Sequence, residues 1–172
     1  MKTLIVYSSR TGNTKKVAEA IQAAIPGDTD LVTDRNLPAD LSGYDAIFAG
    51  FWADKGTANA EMAAVLPKLH HAKVAVFATA GAEPASDHAK DCLRNGSALL
   101  PSDATLIGTW SCQGKIDPKI VEMMAAMFPA GHPHSMTPAR KARIEEAKKH
   151  PDADDLKHAG EWALAVLKGA SR

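Results

Sequence analysis

The chain has no net charge: its 20 Lys and Arg are matched by 20 Asp and Glu. It therefore lacks the basic excess that nucleic acid or a membrane surface selects, and neither is expected as a partner. Only two cysteines are present, Cys92 and Cys112. They fall in separate expected elements and form no metal-type spacing, so neither a disulfide framework nor a thiolate metal site is expected. Reduced thiols suit a cytoplasmic location, which is the one expected. No apolar run approaches the roughly 20 residues of a membrane-spanning helix. The start of the chain carries one Lys before a short strand, unlike the charged region and apolar stretch of a secretory signal. Neither Gly-x-x-x-x-Gly-Lys-Ser/Thr nor Gly-x-Gly-x-x-Gly occurs, which weighs against nucleotide triphosphate and dinucleotide loops. His70, His71, His132 and His134 invite a metal reading, but His132-Pro133-His134 cannot share a helix face and no Cys or carboxylate accompanies it at ligand spacing. Loop and surface histidines are the better reading, with no metal site.

What is present begins with Leu4-Ile5-Val6-Tyr7, a short apolar run that reads as a buried strand. Ser8-Ser9-Arg10-Thr11-Gly12-Asn13-Thr14 follows, and then Val17, Ala18, Ile21 and Ile25 at the spacing of a helix face. A strand, a polar loop and a helix N-terminus together make an anion site. The first helical N–H groups have no intrahelical partner, and the helix dipole adds positive potential there. Ser9, Thr11, Asn13 and Thr14 add donors, and Gly12 lets the backbone turn or approach closely. Ser, Thr and Asn also cap ordinary helices. Four of them within six positions, directly after a first strand, point instead to a phosphate.

Length and periodicity suggest one domain over residues 1–172, long enough for a full core. Strands are expected at 4–7, 30–33, 46–50, 74–79 and 105–108, the last extending toward 112. Helices are expected at 14–24, 58–69 and 84–99. This alternation predicts an α/β three-layer fold with a five-stranded parallel sheet, doubly wound in the order 2-1-3-4-5. Its ligand site lies at the carboxyl ends of the strands, beside strands 1 and 3. After strand 5 a helical insertion over about 115–149 breaks the alternation, with helices expected at 118–128 and 138–150. An amphipathic helix over 152–168 closes the chain. Met123, Met124 and Met127 are expected to pack against the body, with an adaptable docking surface as the other reading. Arg140, Lys141, Arg143, Lys148 and Lys149 form a basic face, balanced nearby by Glu145, Glu146, Asp152, Asp154 and Asp155, as on a solvated helix.

Ser8-Ser9-Arg10-Thr11-Gly12-Asn13-Thr14 after an opening strand resembles the phosphate loop of flavodoxins, and the order of strands and loops extends that resemblance over the whole chain. The resemblance implies non-covalent flavin mononucleotide (FMN), held at its phosphate by Ser9, Arg10, Thr11, Gly12, Asn13 and Thr14. The loop after strand 3 then faces the ring. Trp52 is the first choice to cover it and Phe51 the second, although core packing suits Phe51 better. Ala53, Asp54 and Gly56 shape that turn. Thr79, Ala80, Gly81 and Ala82 form the far wall, where a plain turn before Pro84 explains the same residues equally well.

The implied function is an electron-transfer flavoprotein relaying electrons to a partner reductase or acceptor, with no catalytic acid or base. The alternative is a flavin-dependent NAD(P)H quinone or pigment reductase, its pocket lined by Trp110, Gln113 and Lys115. Trp52-Ala53-Asp54-Lys55-Gly56-Thr57-Ala58, with Cys112-Gln113-Gly114-Lys115, is similar to a branch of short flavodoxin-like proteins associated with bilirubin reductases. Cys112 reads first as a small buried hydrophobe and only second as a redox thiol. Two departures from the family stand out: the neutral charge, where typical carriers are acidic, and Arg10 inside a loop that usually relies on neutral donors.

Overall fold

The structure is a computed structural model that describes residues 1–132 and 135–170; Pro133 and His134 lie outside the described residues. Strand β1 (Lys2–Tyr7) shows how the sheet is built. Its side chains alternate, so Leu4 and Val6 enter the core on one face while Ile5 and Tyr7 enter the core on the other. Both sets are buried, which is why the run is continuously apolar. On one face they meet α1 (Asn13–Ala24) and α6 (Ala153–Ala170), through Val17, Ile21, Ala159, Ala163 and Leu167. On the other they meet Met62 and Val65 of α2 (Ala60–Val65) and Leu93 of α3 (Asp87–Ser97). Each fully buried Val, Leu, Ile or Phe contributes about 1.5–3 kcal/mol.

Five long strands lie parallel: β2 (Asp28–Thr33), β1, β3 (Ala46–Asp54), β5 (Lys73–Ala80) and β6 (Thr105–Gln113), in that spatial order. The two-residue β4 (Thr57–Ala58) doubles back antiparallel on the end of β3. Counting the long strands alone, this is the 2-1-3-4-5 order expected, with helices on both faces.

Three local differences have physical causes. Strand β3 does not stop at Gly50, because Phe51 and Trp52 stay paired with Ala78 and Thr79 of β5. Alternation along this longer strand sends the two aromatic rings to opposite sides. The helix expected over 58–69 begins only at Ala60 and passes into a 3-10 turn at Leu66–Lys68, where Pro67 has no N–H to continue the ladder. Helix α3 starts after Ser86 rather than at Pro84, since the Ala89 N–H donates to Ser86 Oγ at 3.3 Å. The insertion forms α4 (Pro118–Met127) and α5 (Pro138–Ala147), each with Pro in its first turn. Asp117 caps the first and Thr137 the second. Among the described residues no helix is long and apolar enough to cross a membrane.

Candidate functional site

The β1–α1 loop has the geometry of an anion cradle. Gly12, at φ 89°, occupies the left-handed region open to glycine and leads into α1 with no side-chain cap. The first turn of α1 carries no acidic residue, so its dipole stays available to an anion, although one of its N–H groups is already bonded within the loop. Ser9 Oγ accepts from the Lys15 N–H at 3.3 Å, and the Thr14 and Thr79 hydroxyls bond at 2.9 Å beneath the loop. That second bond ties α1 to the end of β5. Asn59, fully buried, clamps the other side. Its amide donates to Ser8 Oγ at 3.0 Å and to Glu61 at 2.7 Å, and its carbonyl accepts from the Trp52 N–H at 3.3 Å. The bond from Asn59 holds the Glu61 carboxyl below the usual range.

The loop is also fastened to the insertion. Arg10 Nε donates to Asp117 at 2.8 Å, and its guanidinium lies 5.7 Å from the centre of the Trp52 ring. Asn13 Nδ2 and Thr11 Oγ1 donate to the Lys115 carbonyl at 2.8 and 3.4 Å. A Cβ on Gly114 would sit 2.6 Å from Asn13 Nδ2, so only glycine permits this approach. The Lys115 N–H donates to the His150 carbonyl at 3.1 Å, which rests the segment on the corner between α5 and α6. There His150 Nδ1 meets Asp155 at 2.5 Å, and that bond raises the imidazole pKa. Arg10 in turn lowers the pKa of Asp117.

A cavity of about 280 Å³ opens where these parts meet, at the carboxyl ends of β1, β3 and β5. Ten of the fifteen expected site residues line it: Arg10, Thr11 and Asn13; Trp52, Ala53 and Asp54; Thr79, Ala80, Gly81 and Ala82. Ser9 and Gly12 instead face an adjoining cavity of about 570 Å³, together with Lys15 and Arg35; Arg10 and Trp52 border both. Thr14 is sealed under the loop. Phe51 is the core residue that packing favoured and is corrected as a cover for the ring: it is fully buried against Gly96 in the α3-side core and reaches neither cavity. Gly56 turns the β3–β4 hairpin at φ 83°, and its carbonyl accepts from Asn95 at 2.9 Å, away from both cavities.

The insertion supplies what sequence reasoning missed. Ile116, Ile120 and Met124 roof the cavity, with Asp117, Arg143 and His88 at its rim. No local pattern marks them, since their contacts with the sheet are long-range. Asn59 carried one signal, its place at a helix N-cap, but its bonds to β1 are equally non-local. Trp110 is corrected too, because it stacks on Trp162 at 6.2 Å in the α1/α6 layer and lines neither cavity. Lys115 does line the cavity. Gln113 donates to the Gly81 carbonyl at 3.1 Å and positions that loop. Cys112 is 1% exposed and burial pushes its thiol pKa upward, so it behaves as a core residue, as does the buried Cys92. Met123 and Met127 do not pack against the body; only Met124 turns inward.

An indole, small residues, the cations Arg10, Lys115 and Arg143, and an uncapped helix start make a site for a planar, anion-bearing molecule. The comparisons agree with this architecture. A family model described as a flavodoxin domain matches residues 4–163. The flavodoxin-like domain-containing protein BilS of Clostridioides difficile (strain CD3) is 30% identical over 174 residues, covering 99% of each chain. The Streptococcus pneumoniae TIGR4 flavodoxin is similar in structure, with a TM-score of 0.62 at 13% identity over 98% of this chain and 99% of that one. A Lactobacillus acidophilus flavoprotein, solved in complex with FMN, gives a TM-score of 0.53 at 22% identity over 71% of this chain and 97% of that one. At such identities the two structures speak for the fold alone. The family match runs from the first strand into the closing helix, over a sheet wound in the order its alternation predicted, and the chain therefore belongs to the flavodoxin family.

Proposed function

We propose that this chain binds FMN non-covalently and relays electrons between protein partners. One observation carries the reading: Arg10, Thr11 and Asn13 of the β1–α1 loop and the loops after β3 and β5 converge on one cavity walled by Trp52 and by small residues. The donor set fits the group. Backbone N–H groups of α1, the Ser9 and Thr11 hydroxyls and the Asn13 amide suit the phosphate, and Arg10 adds a charge that neutral donors lack. Trp52 on one side and Thr79, Ala80, Gly81 and Ala82 on the other suit a flat ring. Phe51 holds the Trp52 strand in place from inside the core, and Gly56 shapes the hairpin behind it. Bound flavin supplies redox chemistry that no side chain here provides. The protein binds it, orients it and excludes water with Ile116, Ile120 and Met124.

A cavity of about 280 Å³, at the small end of ligand pockets, which span about 300–1,000 Å³, suits one ring system, and the adjoining cavity of about 570 Å³ adds space beside it. The insertion roof is the observation on the side of the second reading, an NAD(P)H-dependent quinone or pigment reductase, because such a roof also suits a substrate pocket.

Titration of the apoprotein with FMN, followed by quenching of flavin fluorescence, tests the proposal. FMN is expected to bind more tightly than riboflavin, which lacks the phosphate. Asn13→Ala should weaken FMN binding by about 10- to 100-fold, at about 1.5–3 kcal/mol for one bond to a charged group, and leave riboflavin binding nearly unchanged. No FMN binding by the intact chain overturns the reading. Steady-state oxidation of NADH or NADPH by the purified protein alone would favour the reductase.

A further inference from the structure

We infer, resting on the relay reading, that the outer face of α4 is the docking surface for a redox protein presenting an apolar patch rimmed by carboxylates. Lys119, Met123 and Met127 are spaced four residues apart and form one stripe along α4. Met123 is 52% exposed and Met127 61%, and no residue of α4 is buried. The adjacent stripe, Ile120 and Met124, faces the cavity. One helix therefore shows its inner row to the site and an apolar outer row to solvent. Methionine suits such a face, since its flexible thioether adapts to an incoming surface.

Charge identifies the partner. Residues 115–149 hold seven of the 20 Lys and Arg but only four of the 20 Asp and Glu. Three of those four carboxylates are engaged within the fold: Asp117 by Arg10, Glu145 by Lys148 and Glu146 by Lys149. Glu122 is the remaining one, against exposed Lys115, Lys119 and Arg143. Asp54 on the opposite wall makes the mouth bipolar, so an acidic rim is turned toward the insertion. A membrane surface fits less well. Two methionines flanked by Lys119 and Glu122 make no continuous apolar face of the kind an interfacial helix inserts.

Electron transfer to probe proteins tests the inference. FMN uptake is measured first; a chain that takes up none overturns the relay reading and this inference with it. The FMN-loaded chain is then reduced in light with EDTA as electron donor and mixed with ferric cytochrome b5, whose haem edge is acidic, or ferric cytochrome c, whose haem edge is basic. Each event passes one electron from reduced flavin to ferric haem, giving ferrous haem, and no bond is made or broken. Transfer to cytochrome b5 should slow as salt rises. Met123→Glu with Met127→Glu, and separately Lys119→Glu, should each slow it by about tenfold and leave FMN affinity unchanged. An FMN-loaded, reducible protein whose rate ignores these substitutions overturns the docking face alone. So does a protein that prefers cytochrome c with a salt-suppressed rate. Binding to phosphatidylglycerol vesicles that blocks transfer, and that Met123→Glu abolishes, assigns the face to a membrane and overturns the protein partner.

Discussion

The two sides of the cavity are built on different principles. The sheet side buries its polar groups and bonds them: Asn59 is fully enclosed, its amide bonded to two side chains and the Trp52 N–H, and Thr14 and Thr79 satisfy each other. The insertion side buries Ile144 and Ala147 of α5 but nothing of the helix over the cavity. Helix α4 has no buried residue and is held by its cap, by Arg10 and by the backbone at Lys115. One side is therefore a rigid mould and the other a roof pinned at a few points. Stability should follow the first and exchange or access the second.

The largest test of that contrast is Asn59→Ala. Its loss leaves Ser8 Oγ and the Trp52 N–H without their partner, and leaving each buried group unsatisfied costs about 1–3 kcal/mol. Denaturant unfolding should show a fall of several kcal/mol, comparable with the 2–5 kcal/mol of a buried methionine such as Met62→Ala. An effect below about 1 kcal/mol would remove the distinction between the two sides.

Gly114→Ala is a smaller break, placed on the seam. The new Cβ displaces the Asn13 amide from the Lys115 carbonyl, at about 1 kcal/mol for a neutral hydrogen bond, and FMN affinity should fall several-fold with it. Unchanged affinity, measured by fluorescence titration, would detach the seam from the site.

Asp117→Ala removes both the α4 cap and the partner of Arg10. Faster amide hydrogen exchange over 118–127, with the sheet unchanged, is the expected result. Exchange that rises equally in β1 and β3 would make the roof part of the core.

The pH response should be smaller still. His150 has a raised pKa, first through its bond to Asp155. Its contribution is complete below the ordinary histidine value near 6.5 and disappears as pH rises through the higher folded value. The neighbouring Asp152 and Glu146 have lowered pKa values, so their contributions disappear only on acidification. Between about pH 5.5 and pH 8, the melting temperature should drift downward in the native chain and less so in His150→Gln.

Much of the sheet side was legible in the chain itself. Ser9 to Thr14 announced a loop before a helix, and the apolar runs announced a doubly covered sheet. The misreadings came from pairing at a distance. By sequence Trp52 and Phe51 read as loop residues, because nothing local shows that β3 stays paired with β5 beyond Gly50. Trp110 looked like a site aromatic until α6 supplied Trp162 as its stacking partner. The methionines of α4 share one residue type but not one environment, and spacing within the helix does not reveal which row faces the cavity.

Periodicity, turn chemistry and helix-start residues depend on neighbours a few positions apart, so the amino-acid order alone determined the layers, the strand order and the polar loop that leads into α1. Which residues close the cavity was decided only by the tertiary structure. Arg10 with Asp117, Asn13 with Lys115 and Asn59 with Ser8 lie 107, 102 and 51 positions apart. Contacts over such separations arise when the sheet and its crossovers bring the chain together, and no short-range preference encodes them.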